Sequence, residues 1–218
     1  MKQLTLLPIL LLVACATGGG FKPEVKDKLC PLFTNNVVLA ATDVRKHDVP
    51  RLPDLTGLDA VAAEDVLRQF AADSGIAITI KTEEWPEELQ HFGTSLPVVG
   101  VWLPMNFYSR APALRAALLR HELGHAMTHQ RLGAATSALT YVALAGVRVG
   151  VETALFDDQA THYARWAGEP ASWLPKYKAN RSRLLWRSYV LEPFTTKKCL
   201  DSAMEAAWPE RGASGNPS

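Results

Sequence analysis

The chain has 218 residues and a net charge of +1, with 21% charged and 48% hydrophobic residues. This length and balance are typical of one globular domain with a buried core. No basic run stands out, so the composition argues against a nucleic-acid partner and against electrostatic attachment to anionic lipid.

The N-terminal stretch has the pattern of an export signal that ends in a lipidated cysteine. Lys2 precedes an apolar run, Leu4–Ala14, which is too short to span a bilayer. The sequence Leu12-Val13-Ala14-Cys15 at its end resembles the bacterial lipobox. The resemblance implies a signal peptide at 1–14, acyl chains on Cys15 and a membrane anchor in a bacterial cell envelope, facing the periplasm or the exterior. The alternative is an ordinary secretory signal that is cut nearby.

The rest of the chain divides into a tether at 15–28, a single domain at 29–208 and a disordered tail at 209–218. No internal repeat interrupts the domain. The stretch Asp43–Gly57 contains prolines and predicts an irregular connection.

Two cysteines, Cys30 and Cys199, remain once Cys15 carries lipid. Cysteines in an exported chain can pair, and this pair would tie the start of the domain to its end. We therefore expect a disulfide bond between them, with two free buried thiols as the alternative.

The first predicted helix spans Leu58–Ser74. Apolar residues that include Val61 and Val66 recur at helical spacing, Asp59 can cap the start, and Gly75 can end the helix. Two β-rich segments follow, Ile76–Ile80 and Pro97–Leu103, and the polar segment between them predicts a loop or short helix.

Periodicity then predicts four helices, at Pro112–Leu132, Ala134–Val147, Glu152–Ala167 and Leu174–Val190. The second is shorter than the roughly 20 apolar residues that a membrane span needs, so it predicts a buried helix. These elements together predict an α+β fold in which helices predominate.

The strongest motif is His121-Glu122-Leu123-Gly124-His125 inside the predicted helix Pro112–Leu132. Residues four apart lie on one helix face, so both imidazoles can reach the same ion. Glu122 points away from the histidines, close enough to contact a metal-bound water without binding the metal. Zinc lowers the pKa of such a water, and a carboxylate can accept its proton as it attacks a peptide carbonyl. The motif predicts Zn²⁺ held by His121 and His125, with Glu122 as the general base.

The flanking residues support this interpretation. Leu119, Leu123 and Met127 make the rest of the helix apolar, so the face that carries the motif is predicted to be buried. Buried ionisable side chains need a partner, and a metal ion provides one. Gly124 leaves room for another element to come close.

The motif, followed by His129, resembles the zincin peptidases and is most similar to the family of CAAX prenyl proteases and heat-shock membrane proteases. The similarity covers about residues 98–175. In that family a later helix carries Glu-x-x-Ala-Asp, in which the glutamate is the third zinc ligand, and an Ala-Gly-x-x-Pro-like turn follows. This chain has Asp157-Asp158-Gln159-Ala160-Thr161 and then Ala167-Gly168-Glu169-Pro170. Asp157 stands where the family has glutamate, and Thr161 replaces the aspartate.

Four residues remain candidates for the third ligand. The resemblance favours Asp157, which shares a face of small residues, as expected where a ligand helix packs closely on the motif helix. Glu152 is the main alternative and lies on the bulkier face with Phe156. Asp158 and His162 are the further candidates.

The resemblance implies a zincin-like architecture, with a small antiparallel sheet over the motif helix and a second, ligand-bearing helix. Val98–Leu103 fits the edge strand to which an extended peptide could pair. The implied activity is that of a zinc-dependent endopeptidase acting on proteins or peptides at a bacterial membrane surface. The departure at Asp157 motivates an alternative, a catalytically silent zinc-binding envelope lipoprotein that acts as an assembly or chaperone factor. A structural lipoprotein without metal is the third hypothesis.

Overall fold

A computed structural model describes residues 21–90, 93–96, 100–137, 144–188, 191 and 194–208. The helices are α1 (Pro23–His47), α2 (Ala60–Asp73), α3 (Glu87–Gln90), α4 (Pro112–Leu132), α5 (Ala145–Ala167), α6 (Trp173–Ser188) and α7 (Lys197–Ala207), and the strands are β1 (Ile78–Ile80), β2 (Thr94–Leu96) and β3 (Gly100–Leu103). The expected signal peptide at 1–14, Cys15 and the expected tail at 209–218 lie outside the described residues. No helix in the described part of the chain combines the length and apolarity needed to cross a membrane.

Helix α2 confirms the helix predicted at Leu58–Ser74, with a different buried face. The Asp59 side chain caps the helix by accepting a hydrogen bond from the Val61 backbone N–H at 2.9 Å. Val61 and Val66 are exposed, whereas Leu67 and three smaller or polar neighbours are buried.

Helix α1 was not predicted from the sequence. It includes residues 23–28 of the expected tether and the first part of the expected irregular connection. Pro23 occupies the first turn, where a missing N–H costs little, but Pro31 lies inside the helix, where proline is unfavourable. Since local propensity disfavours this helix, its packing against α5 through Val37, Ala41 and Val44 is what stabilises it.

The sheet is mixed, so the expectation of an antiparallel sheet is wrong for one of its two pairings. The strand order is β1-β3-β2, with β1 parallel and β2 antiparallel to β3. The expectation that Val98–Leu103 is an edge strand is also wrong, because β3 is the central strand. Strand β2 runs antiparallel to β3 and forms one edge of the described sheet.

The later helices differ from the predictions mainly at their boundaries. Helix α5 begins at Ala145 rather than Glu152, and α6 confirms the helix predicted at Leu174–Val190. Residues 134–137 are helical, whereas 138–143 lie outside the described residues. Helix α7 was missed.

Two hydrophobic cores meet at the contact between α4 and α5. One lies among α2, the sheet and α4, and the other among α1, α5, α6 and α7. Cys30 in α1 and Cys199 in α7 lie at disulfide distance, with 2.09 Å between their sulfur atoms, as the pairing prediction requires. The fold is therefore α+β and mostly helical, and its two halves meet where α4, which carries the motif, packs on α5.

Candidate metal centre

Helix α4 is buried all round where it carries the motif. Every residue from Leu119 to His129 is buried, between the sheet on one side and α5 on the other. Gly124 permits this packing, because a methyl group at that position would overlap the Leu155 side chain of α5. The expected close approach of another element at Gly124 is confirmed.

His121, His125 and Glu152 bring ligand atoms to one point. The two Nε2 atoms of the histidines are 3.1 Å apart, and each lies 3.4 Å from a carboxylate oxygen of Glu152. Tetrahedral zinc with bonds of about 2.0–2.1 Å separates its ligand atoms by about 3.3 Å. The three side chains could therefore bind a metal ion with little rearrangement.

The electrostatics of the group also suit a cation. His121, His125 and Glu152 are each at most 5% exposed. Burial raises the pKa of Glu152, but Coulomb attraction and hydrogen bonds with the histidines outweigh it and hold the pKa well below its ordinary value. The pKa of His125 is raised, because attraction to Glu152 outweighs burial, which alone would lower it. A buried anion between two imidazoles requires positive charge, and this donor set is one that zinc accepts.

The His121 ring is held by packing. It stacks on Phe156 of α5 with 4.8 Å between ring centroids and 23° between the planes. Its Nδ1 atom is buried and has no hydrogen-bond partner in the described part of the chain. Metal-binding histidines usually donate a hydrogen bond from their second nitrogen, so here an aromatic contact orients the ring instead.

The group that could bind a metal ion contains Glu152, the alternative candidate, and not Asp157, the favoured one. Asp157 follows Glu152 by five residues, which turns its side chain by about 140° around the helix axis. Its Oδ2 atom lies 3.6 Å from Nε of Arg45, on α1. Asp157 therefore points toward α1, whereas the two histidines belong to α4.

The two remaining candidates, Asp158 and His162, also lie outside the group of His121, His125 and Glu152. Asp158 accepts two hydrogen bonds from Arg120, at 2.6 and 3.2 Å, and this pair joins α4 to α5. Nδ1 of His162 lies 2.9 Å from the backbone oxygen of Asp158. Since Arg120 directly precedes His121, its ion pair helps to align the two helices that carry the candidate ligands.

Glu122 lies beside the group without belonging to it. Its side chain is 5% exposed, and burial raises its pKa although the nearby His121 and His125 lower it. A raised pKa makes a carboxylate a stronger base. A methyl group at position 93 would overlap this carboxylate, so the backbone at Gly93 lies directly against it.

His129, one turn beyond His125, links the motif helix to β2. Its Nδ1 atom is hydrogen-bonded to the Ser137 hydroxyl, and its Nε2 atom lies 3.3 Å from the Ser95 backbone oxygen. Burial lowers the pKa of His129 to about 4, so the ring is neutral at pH 7. Its role is to hold β2 against α4.

Sequence reasoning missed Gly93, whose backbone lies against the Glu122 carboxylate, and the buried side chain of Lys81. Lys81 directly follows β1, is 1% exposed and interacts electrostatically with Glu122. A single lysine after a short strand has no pattern that marks it as buried, and lysine is seldom fully buried. Only the pairing of β1 with β3 brings it to this place.

No protein-family model, no curated protein and no solved structure matches the chain. The resemblance to the CAAX prenyl protease and heat-shock membrane protease family therefore stays a prediction. What stands is a buried group of His121, His125 and Glu152 that could bind a metal ion, in a mostly helical α+β fold.

Proposed function

We propose that this protein is a zinc-dependent endopeptidase in which His121, His125 and Glu152 hold the ion and Glu122 is the general base. One observation carries the proposal. Three ligand atoms of the appropriate types converge at 3.1–3.4 Å, and a fourth ionisable side chain, outside the ligand group, lies beside them.

The chemistry follows from the positions of these side chains. A zinc ion held there would act as a Lewis acid and lower the pKa of a bound water molecule. Glu122 is one residue from His121 and free of the ligand group, so its carboxylate can accept a proton from water that attacks a peptide carbonyl. The same carboxyl group can then deliver that proton to the leaving amine.

Strand β2 is the best place for an extended substrate. It is an edge of the described sheet and packs on α4, and Gly93, just before it, contacts the general base. A peptide that pairs with this edge would gain main-chain hydrogen bonds while its carbonyl group lies near Glu122. The substrate class is therefore an extended or unfolded polypeptide.

The proposed location is the bacterial cell envelope, with the membrane anchor on Cys15. The lipobox-like sequence supports the anchor. The pair Cys30 and Cys199 supports export, since disulfide bonds persist in oxidising compartments.

A second candidate is a zinc-binding envelope lipoprotein without catalytic activity, acting as an assembly or chaperone factor. The burial of Glu122 and its cover by Gly93 favour this candidate, because a peptidase must admit its substrate to the base. The departure at Asp157 no longer favours it, since Glu152 supplies the carboxylate.

The two candidates separate in one experiment. The purified full chain is assayed for bound zinc and for cleavage of a fluorescently labelled unfolded protein, alongside Glu122→Gln. For the peptidase, we expect one zinc per chain in both proteins and a loss of cleavage of about 100-fold or more in the variant. Zinc with no cleavage by the unsubstituted chain selects the silent lipoprotein. Cleavage that survives Glu122→Gln contradicts the mechanism.

A further inference from the structure

The outward face of α1 carries three apolar side chains in one line. Val25, Leu32 and Leu39 are 39%, 43% and 60% exposed. Residues seven apart lie on nearly the same side of a helix, two turns from one another. Among the described elements, α1 exposes more large apolar side chains than any other. A row of this kind on one helix indicates a contact surface, whereas single exposed apolar residues do not.

The opposite side of α1 is fixed, so the outward face has a defined direction. The buried residues of α1, which include Val37, pack on α5 and α7. Leu32 and Leu39 lie about 140–160° around the helix axis from Val37. Lys28 and Lys46 are exposed on the same side as the two leucines. Lysine stems can cover apolar surface while their ammonium groups stay in water.

The place of α1 in the chain indicates what this face meets. Pro23, the first residue of α1, follows Cys15 by eight residues. Eight extended residues span at most about 26–29 Å, so acyl chains on Cys15 would keep the start of α1 within that distance of the bilayer. A surface held so close meets the lipid at a high effective concentration, and even a small apolar face can then stay bound.

Helix α5 separates the outward face of α1 from the candidate metal centre. Gly150 and Glu152 are two residues apart, which places them on opposite sides of α5. Gly150 lies against Val37 of α1, and Glu152 lies with His121 and His125 of α4. The candidate ligands are therefore on the side of α5 that faces away from α1.

We infer that the outward face of α1, formed by Val25, Leu32 and Leu39, lies on the lipid surface and directs the candidate metal centre away from the bilayer. The inference rests on the proposed location, with its anchor on Cys15. It deepens the proposed function, because a centre so directed takes its substrate from the water beside the membrane. The substrate is then an extended polypeptide in that compartment and not a membrane-spanning segment.

The test uses the acylated full chain in phosphatidylcholine vesicles, with and without bromine on the lipid acyl chains. A fluorophore is attached to Leu32→Cys, Leu39→Cys and, as the matched control, Val61→Cys. Val61 is 53% exposed on α2, in the half of the fold that contains α4.

We expect brominated lipid to quench the labels at positions 32 and 39 by about twofold or more, because an interfacial helix buries its apolar face about 5–10 Å into the headgroup–acyl boundary. The label at position 61 should keep its fluorescence. Quenching at none of the three positions, or equal quenching at all three, overturns the inference.

A second set of variants tests whether the apolar side chains make the contact. With Leu32→Glu and Leu39→Glu together, a label on Val25→Cys should lose its quenching, because carboxylates are costly to bury in lipid. Val61→Glu is the control and should leave that quenching unchanged. Label fluorescence at position 39 that rises with protein concentration, without quenching by brominated lipid, assigns the face to a second copy of the chain and overturns the inference.

The failure of the anchor and the failure of the peptidase are measured separately. Mass spectrometry of the N-terminal peptide shows whether Cys15 carries acyl chains. Without them, the proposed location and this inference both fail. Zinc binding and cleavage of an unfolded protein by the same preparation decide the peptidase, and their absence leaves the lipid contact of α1 standing.

Discussion

Helix α5 makes its most extensive helix contacts with α1 and α4, and these two contacts are built differently. Toward α1, α5 itself supplies the small residue: a methyl group on Gly150 would overlap the backbone oxygen of Val37. Toward α4, the small residue is Gly124 of α4, and α5 presents Leu155 against it. Both contacts are close, but only the second brings His121, His125 and Glu152 together.

This difference explains why Glu152, and not Asp157, lies with the two histidines. Asp157 lies two turns after Gly150 on the small-residue face and meets Arg45 of α1, whereas Glu152 lies on the bulkier face and meets the histidines. Small residues on a helix mark close packing, and either helix of a pair can supply them. The small-residue face of α5 therefore correctly predicted a close helix contact, but it did not predict which carboxylate lies with the histidines.

The largest expected effect separates the two carboxylates. Structural zinc sites bind with about 10–16 kcal/mol shared among their ligands, so losing one ligand should weaken zinc binding by about 100-fold or more. We expect this loss in Glu152→Gln and a change within about threefold in Asp157→Asn. Chelator competition on the two purified variants measures both. Weaker binding in Asp157→Asn than in Glu152→Gln would return the ligand role to Asp157.

The next largest effect is on stability, and it compares the ion pair between α4 and α5 with the ion pair between α1 and α5. The Arg120–Asp158 pair has side chains 6% and 11% exposed, and the Arg45–Asp157 pair has side chains 26% and 13% exposed. Because an uncompensated buried carboxylate is costly, Arg120→Met should lower the free energy of unfolding by about 3 kcal/mol. Arg45→Met, at the longer and more exposed pair, should cost about 1 kcal/mol or less.

Urea unfolding of the two arginine variants provides the measurement, with the chelated protein used throughout so that zinc binding does not enter. Equal losses would mean that the α1 and α4 contacts of α5 depend equally on their charges.

The smallest effect compares the two glycines. Alanine is normally favoured over glycine inside a helix by about 1 kcal/mol. Gly150→Ala meets the backbone of Val37, which cannot turn aside, so it should destabilise the protein by about 2 kcal/mol. Gly124→Ala meets the end of the Leu155 side chain, which can rotate, so it should cost less than Gly150→Ala.

Thermal or urea unfolding ranks these two variants, and Gly124→Ala combined with Leu155→Val is the matched control. Trimming Leu155 should recover part of the loss at position 124 and none at position 150. A larger loss from Gly124→Ala than from Gly150→Ala would show that α5 is held more tightly against α4.

Sequence patterns predicted the structure correctly where a few residues determine the feature. Helix α4 has the predicted limits, Pro112–Leu132, because the helical segment begins with proline and ends before Gly133, which has φ +77°. The Asp59 cap and the Cys30–Cys199 pair were likewise predicted. Each depends on a few residues and on the chemistry of their side chains.

Patterns were a poor guide where packing overrides propensity. Helix α1, which contains Pro31, and strand β2, which has only three residues, were both missed. Residues 145–147, at the start of α5, were assigned to a separate helix. Glu152 consequently stood at the predicted N-terminus of its helix, where a capping or solvated carboxylate is ordinary. In the structure it lies two turns inside α5, within the buried stretch Val149–Phe156.

The sequence by itself determined that His121 and His125 share a helix face with Glu122 beside them, because residues one and four apart in a helix have a set angular relation. Tertiary structure alone decided that Glu152 completes the group and that Lys81 is buried within electrostatic reach of Glu122. The rotation of α5 about its axis depends on contacts with α1 and α4 at once, and the approach of Lys81 depends on strand pairing. Neither is encoded in the periodicity of a single element.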